Sequence, residues 1–218
     1  MGEASRALFQ MEGIPTPKNG MWDDIAEILA HDGIPCPFHG SLFIPIIVPS
    51  WIKINDTIIL RFGHSKGAFA AFGIEYRSGN ILQVVDVPPN PISFVNSSMQ
   101  QYIESILWMQ RRSPLYYADD PEDDFEMVAA EMGGALTAID PLCMRENTFW
   151  GELYWDVTIG DWAAQDDYRE PIDWSAYQDP EPGWHRSPQF AGQARLDDLR
   201  LSYQEAEAIF DDELGLSR

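Results

Sequence analysis

The stretch that decides the fold is residues 74–108, which read IEYRSGNILQVVDVPPNPISFVNSSMQQYIESILW. Two runs within it, 74–76 and 81–87, are rich in the β-branched and aromatic residues that favour strands. Gly79 and Asn80 lie between the runs and provide the backbone freedom that a tight hairpin needs. The first half of the stretch therefore predicts an antiparallel pair of strands.

The second half of the stretch predicts a proline loop followed by a capped helix. Pro88, Pro89 and Pro91 indicate the end of the sheet, and Ser97 or Ser98 can accept a hydrogen bond from the first turn of a helix. Apolar side chains then recur at three- and four-residue spacing, which predicts one buried face. These positions are Met99, Tyr102, Ile103, Ile106 and Leu107. Strand, turn, strand, loop and helix form a scaffold typical of binding, with no catalytic motif of its own.

Two short motifs resemble a known family. Phe94-Val95-Asn96-Ser97-Ser98 opens the predicted helix, and Ile139-Asp140-Pro141 precedes Phe149-Trp150. Together they are similar to motifs of the SUKH superfamily, in its branch of immunity proteins of bacterial toxin systems. The resemblance covers roughly residues 51–162. It implies an α+β domain that binds and neutralises a cognate toxin, often a nuclease or a nucleic-acid deaminase.

Other periodic patterns complete the predicted elements. Helices are predicted over 21–31, 121–139 and 149–157, and strands over 42–48, 51–54 and 57–62. Residues 164–191 have no period and predict an extended arm. Residues 195–214 regain helical spacing, and we expect their apolar stripe to pack on the main domain. The stripe consists of Leu196, Leu199, Ile209 and Phe210.

The length and composition suit one globular domain with an appendage. The chain has 218 residues, of which 45% are hydrophobic, which excludes global disorder. We expect a SUKH-like α+β domain over 1–165, with a mixed or antiparallel sheet flanked by helices, and an acidic extension with a terminal helix over 166–218. No apolar run is long enough for a membrane span, and no secretory signal is evident, so we expect a cytoplasmic protein.

The charge is concentrated in one half of the chain. Residues 1–118 contain 8 Lys and Arg against 10 Asp and Glu, a net charge of −2, whereas residues 119–218 contain 6 against 25, a net charge of −19, which together make −21. Direct binding to nucleic acid is disfavoured, because it requires clustered cations. A basic protein is the expected partner, and a nucleic-acid enzyme is such a protein because its own substrate is polyanionic.

The predicted partner-binding residues combine the acidic entry to the helix over 121–139 with Trp and Asp residues further along. Aromatic side chains ringed by acid are typical of interface centres. The predicted set is Asp119, Asp120, Glu122, Asp123, Asp124, Trp155, Asp156, Asp161, Trp162, Asp166 and Asp167. Trp150, between these groups, is expected to pack into the domain together with Phe149.

A serine hydrolase is the main catalytic alternative. Residues 63–67, Gly-His-Ser-Lys-Gly, fit the nucleophile-elbow pattern around Ser65 and follow a predicted strand. An elbow requires a helix directly after it, but residues 68–76 favour a strand, and His185 is the one downstream histidine for a triad. The pattern is therefore better explained as a hairpin loop.

Neither a cofactor nor a metal site is predicted. Cys36 and His39 form a Cys-x-x-His pair, but two ligands do not complete a zinc site. Cys36 and Cys143 are expected to be reduced. The expected function is therefore stoichiometric inhibition of a toxin by occlusion of its active site, and the alternatives are an acidic adaptor or nucleic-acid mimic that binds a host regulator, or the hydrolase at Ser65.

Overall fold

The computed structural model describes residues 6–35, 43–65, 70–86, 91–117, 120–162 and 196–213, without the side chains of residues 122, 123, 212 and 213. Seven strands lie within these residues: β1 (Arg6–Ala7), β2 (Ile34–Pro35), β3 (Ile44–Ile54), β4 (Thr57–His64), β5 (Ala70–Glu75), β6 (Ile81–Val85) and β7 (Ile92–Asn96). Five α-helices accompany them: α1 (Gly20–Glu27), α2 (Met99–Arg112), α3 (Glu122–Ile139), α4 (Phe149–Thr158) and α5 (Tyr203–Glu213). The predicted α+β class is confirmed.

The main sheet is an antiparallel meander. Its strand order is β3-β4-β5-β6-β7, so each strand pairs with its neighbour in the sequence. The predicted hairpin is formed by β5 and β6, and Gly79 between them has a φ of +73°. An L side chain rarely adopts this conformation, which explains the glycine at this turn.

Two predictions about prolines were wrong. The prolines after β6 do not end the sheet, because β7 starts at Ile92 directly after Pro91 and pairs with β6. The strands predicted on either side of Pro49, over 42–48 and 51–54, are in fact one strand, since β3 runs continuously from Ile44 to Ile54. The register of β3 against β4 shifts between Pro45 and Ser50. Pro49 lies in this irregular part of the edge strand β3, and Pro91 lies just before β7, the strand at the other edge. Neither position needs an N–H for the ladder.

Helix α2 covers one face of the sheet as the spacing predicted. Ser98 is the N-cap, and its hydroxyl accepts a hydrogen bond from Gln101 N at 3.3 Å. Four of the five predicted core positions are buried and Leu107 is half-buried. The predicted first helix continues beyond α1 as a π-helical turn, Ile28–Asp32, which ends at Gly33 with φ +70°. Helices α3 and α4 begin and end within two residues of their predicted limits.

The two motifs that resemble the SUKH superfamily meet in a buried hydrogen-bond network. Asp140, at the end of α3, accepts from Ser97 N at 2.7 Å, from Ser97 Oγ at 3.1 Å and from Leu142 N at 3.0 Å. Asn96 Oδ1 accepts from Trp150 Nε1 at 2.9 Å, and Asn96 Nδ2 lies 3.4 Å from Asp140 Oδ2. The network therefore joins β7, α2, α3 and α4, and it fixes the position of α4.

The C-terminal segment, residues 196–213, wraps around the edge of the sheet at β3. It begins with a 3-10 helix, Leu196–Leu199, whose buried Leu196 joins a second apolar cluster on the far face of the sheet. Leu201 N then donates to Trp51 O at 2.8 Å on β3. On the other face, Phe210 of α5 lies 5.0 Å from Trp51 between ring centroids. The four predicted residues pack on the main domain, but they do not form one helical stripe: Leu196 and Leu199 join the cluster on one face of the sheet, and Ile209 and Phe210 join the core on the other. The predicted domain boundary at 165/166 and the arm over 164–191 lie outside the described residues.

Candidate functional site

Helix α4 has one buried and one exposed face. Trp150, Leu153 and Val157 point into the core. The opposite face carries side chains at i, i+3, i+4 and i+7 spacing, all of them exposed. These are Glu152, Trp155, Asp156 and Ile159, and Trp155 is 63% and Ile159 64% exposed. Two large apolar side chains thus lie in solvent among carboxylates, which is the composition of an interface centre with a charged rim.

The turn after α4 is held by a buried tyrosine. Tyr116 Oη donates to Val157 O at 2.7 Å and accepts from Trp162 N at 3.2 Å. Asp161 N also donates to Asp156 O at 3.0 Å. These bonds fold the turn back on the helix end, so that Asp161 and Trp162 lie beside Asp156.

The carboxylates at this end of α4 repel one another. Although Asp156 is largely exposed, partial desolvation by its neighbours raises its pKa, and the charges of Asp161 and Glu152 raise it further, whereas a hydrogen bond from the Trp162 side chain lowers it. Burial also raises the pKa of Tyr116, with Asp161 and Asp156 contributing. A partner cation placed here would relieve this repulsion, because it favours the ionised form of each carboxylate.

The start of α3 lies at the same end of the helix pair. A Cβ placed on Gly160 would approach the Phe125 ring to 2.9 Å, so the first turn of α3 packs against the end of α4. Asp120 and Asp124 flank that first turn and are half-buried. Asp120 has a local structural role as well, because its carboxylate accepts from Tyr117 N at 2.8 Å.

The structure thus brings together four of the predicted partner-binding residues, Trp155, Asp156, Asp161 and Trp162. Asp120 and Asp124 lie at the start of α3, which packs against the end of α4 through Phe125 and Gly160. Trp162 is half-buried, and its side chain donates a hydrogen bond to Asp156, so it positions this carboxylate and offers little exposed surface of its own. Glu122 and Asp123 lie in the first turn of α3, but their side chains are outside the described residues, as are Asp119, Asp166 and Asp167 entirely.

Sequence reasoning missed Glu152 and Ile159. The signal was present, because both residues share helical spacing with Trp155 and Asp156 and lie opposite the buried positions of α4. We define the α4 acidic face as Glu152, Trp155, Asp156, Ile159, Asp161 and Trp162.

The residues around Ser65 do not form a nucleophile elbow. Strand β5, rather than a helix, follows the connection and pairs antiparallel with β4, His64 opposite Ala71. Ser65 Oγ accepts from Ala70 N at 3.1 Å, which closes the base of the hairpin. Residues 66–69 and His185 lie outside the described residues. The interpretation of this sequence as a hairpin connection is confirmed.

The described part of the chain holds no group of three or more His, Cys, Asp and Glu residues that could bind a metal ion. Cys36 and His39 lie outside it. Burial, together with the nearby Asp140 charge, raises the pKa of the Cys143 thiol to about 12. This cysteine is therefore a core side chain without nucleophilic character. Among the described helices, none is both long enough and apolar enough to cross a membrane.

The fold is an α+β domain, and the end of α4 carries exposed acidic and aromatic side chains. Residues 56–156 match the SUKH-4 immunity protein family, and over these residues the predicted resemblance to the SUKH superfamily is confirmed. The match supports a role as an immunity protein, which implies binding to a cognate toxin. It runs from the β3–β4 turn into α4 and includes Trp155 and Asp156. No curated protein and no solved structure matches the chain.

Proposed function

We propose that this chain neutralises a cognate bacterial toxin by covering the toxin's active site with the α4 acidic face. The observation that carries the proposal is the exposure of Trp155 and Ile159 among Glu152, Asp156 and Asp161. An exposed tryptophan is a frequent centre of binding energy in protein interfaces. Immunity proteins in general act by binding, so the proposal requires no catalytic residue.

The charge of the face selects the chemistry of the partner. Mutual repulsion of Asp156 and Asp161 makes a cationic surface the favoured complement. A nuclease or a nucleic-acid deaminase presents such a surface where it binds phosphates. We therefore propose that the toxin acts on nucleic acid, and that Asp120 and Asp124 extend the contact, together with the other carboxylates predicted from the sequence. The complex would form in the cytoplasm, where Cys143 stays reduced.

Growth rescue tests the proposal. The chain is coexpressed with its cognate toxin, which is sought among the genes beside its own, as the wild type or with Trp155→Ala and Asp156→Asn. Truncation of a central interface tryptophan costs about 2 kcal/mol or more, which is roughly a 30-fold loss of affinity. We expect rescue to fail for the double variant. Tyr203→Ala, which removes another exposed aromatic side chain, on α5, is the control and should rescue fully.

Association kinetics give a second measurement. Because exposed charges are screened beyond about 8 Å at physiological ionic strength, the association rate should fall steeply as salt is added. Stopped-flow mixing with the purified toxin measures this rate. Rescue by the double variant, or a rate insensitive to salt, would contradict the proposal.

A further inference from the structure

A groove lies beside the first half of α4, on the side away from Asp161. One wall is the loop of residues 144–147, and the other is formed by Tyr154 and Trp155, with Glu152 at the rim. Its volume is about 510 Å³, which is within the usual range of binding clefts. The groove therefore extends the recognition surface from the α4 acidic face towards the start of the helix.

The loop wall of the groove is held by hydrogen bonds and by close packing on α4. The Thr148 hydroxyl lies 2.6 Å from Cys143 O and 2.7 Å from Arg145 O, and it also accepts from Gly151 N. A Cβ on Gly151 would come within 2.4 Å of Arg145 O, so the loop packs directly on the helix backbone. A wall fixed in this way binds a ligand without first having to be ordered.

The lining favours a planar cation with an apolar stem. Glu146 and Glu152 supply two carboxylates against the single guanidinium of Arg145, and Tyr154 and Trp155 supply aromatic surface. A guanidinium can stack on an aromatic ring while it donates to a carboxylate, whereas an ammonium ion is more strongly hydrated. We propose that the groove receives an arginine side chain of the partner. The inference rests on the proposed function for the identity of that partner as a toxin.

Peptide titration tests the chemistry of the groove without the toxin. The full chain, labelled with ¹⁵N, is titrated with the blocked tripeptides acetyl-Gly-Arg-Gly-amide and acetyl-Gly-citrulline-Gly-amide, and the Trp155 indole signal is followed by NMR. Citrulline has the shape of arginine without its charge. We expect a saturable shift for the arginine peptide and none for the citrulline peptide. A third titration, with acetyl-Gly-Lys-Gly-amide, should give a weaker shift than arginine.

Charge-removing variants place the binding in the groove. Glu146→Gln with Glu152→Gln should weaken binding of the arginine peptide about fivefold, since each exposed ion pair contributes modestly. The control, Asp24→Asn with Glu27→Gln, removes two exposed charges from α1 and should leave the titration unchanged. Equal shifts with citrulline, or a shift caused by acetyl-Gly-Asp-Gly-amide instead, would overturn the inference, and the latter would assign the groove to an anion at Arg145.

The two proposals fail in different ways. Glu146 lies in the groove but not in the α4 acidic face, so toxin binding that is unaffected by Glu146→Gln would refute the arginine groove and leave the proposed function standing. If the chain does not bind the toxin but still binds the arginine peptide at Trp155, the proposed function is wrong and the chemistry of the groove is right.

Discussion

Replacing Asp140 with alanine should destabilise the whole domain. The Asp140 side chain is buried at the point where the two SUKH-like motifs meet, and its carboxylate accepts hydrogen bonds from three different residues. Alanine leaves Ser97 N without its acceptor at 2.7 Å and removes one acceptor of Asn96. Leu142 is an exposed residue, so its N–H can donate to water in the variant.

The cost follows from these contacts. The orphaned Ser97 N–H is partly buried and costs about 1–2 kcal/mol, and loss of the charge-assisted bond from Ser97 Oγ adds about 1.5 kcal/mol. Asn96 keeps Ser105 Oγ at 3.3 Å as a second acceptor, so its share is small. We therefore expect the free energy of unfolding to fall by about 3 kcal/mol in Asp140→Ala.

Urea unfolding monitored by circular dichroism measures this loss. Asp24→Ala on α1 makes the same chemical change at an exposed position and should stay within about 0.5 kcal/mol of the wild type. If Asp140→Ala and Asp24→Ala unfold at the same urea concentration with equal slopes, the network does not hold α4 in place and the reasoning is refuted.

Three further predictions concern the core, the acidic face and the buried thiol. Phe210→Ala should lower the free energy of unfolding by about 3–5 kcal/mol in urea, because Phe210 stacks on Tyr76 at 4.9 Å, and a cost below that of the exposed control Tyr203→Ala would contradict the packing. Asp156→Asn should raise the urea midpoint at pH 7. The pKa of Asp156 is raised in the folded state, so the native state binds the proton more tightly and loses stability as pH rises from the unfolded pKa through the folded pKa. The stability gained by Asp156→Asn should therefore vanish in acid below the unfolded pKa. A gain in stability that does not depend on pH would exclude this cause. In a Cys36→Ser background, Cys143 should resist iodoacetamide at pH 8 until urea unfolds the chain, and rapid labelling of the folded protein, followed by mass spectrometry, would contradict its burial.

Local pattern was sufficient for most of the helices and for the central hairpin. Ser98 and the periodic face of α2 could be predicted because a cap and its helix lie within a few residues. The continuity of β3 through Pro49 could not, since an edge strand tolerates a proline that a central strand excludes, and the sequence does not state which strand is at the edge. The strand β7 was not predicted because Pro88, Pro89 and Pro91 indicate the end of a sheet, whereas β7 is the other edge strand and can begin directly after a proline.

The candidate site was predictable in part. Trp155, Asp156, Asp161 and Trp162 lie close in sequence, and helical spacing places them together. The approach of the α3 start to the end of α4 depends on Phe125 against Gly160, a contact between residues 35 positions apart that no local pattern encodes. The groove depends likewise on how the loop of residues 144–147 folds over Gly151.

The wrapping of residues 196–213 around β3 has a consequence for biosynthesis. Arg61 on β4 pairs with Asp197 at 2.6 Å, although the two residues are 136 positions apart. At a translation rate of about 5–20 residues per second, roughly 7–27 s pass between the synthesis of these two partners. Throughout that interval the ribosome-bound chain presents an open sheet edge at β3 and uncovered apolar side chains on one sheet face, which is the form most prone to self-association or chaperone capture. The yield of folded protein should therefore depend on codon choice over residues 62–196 and on the chaperones present while these residues are translated. This dependence should be stronger than for a protein whose sheet is completed by residues close together in the sequence.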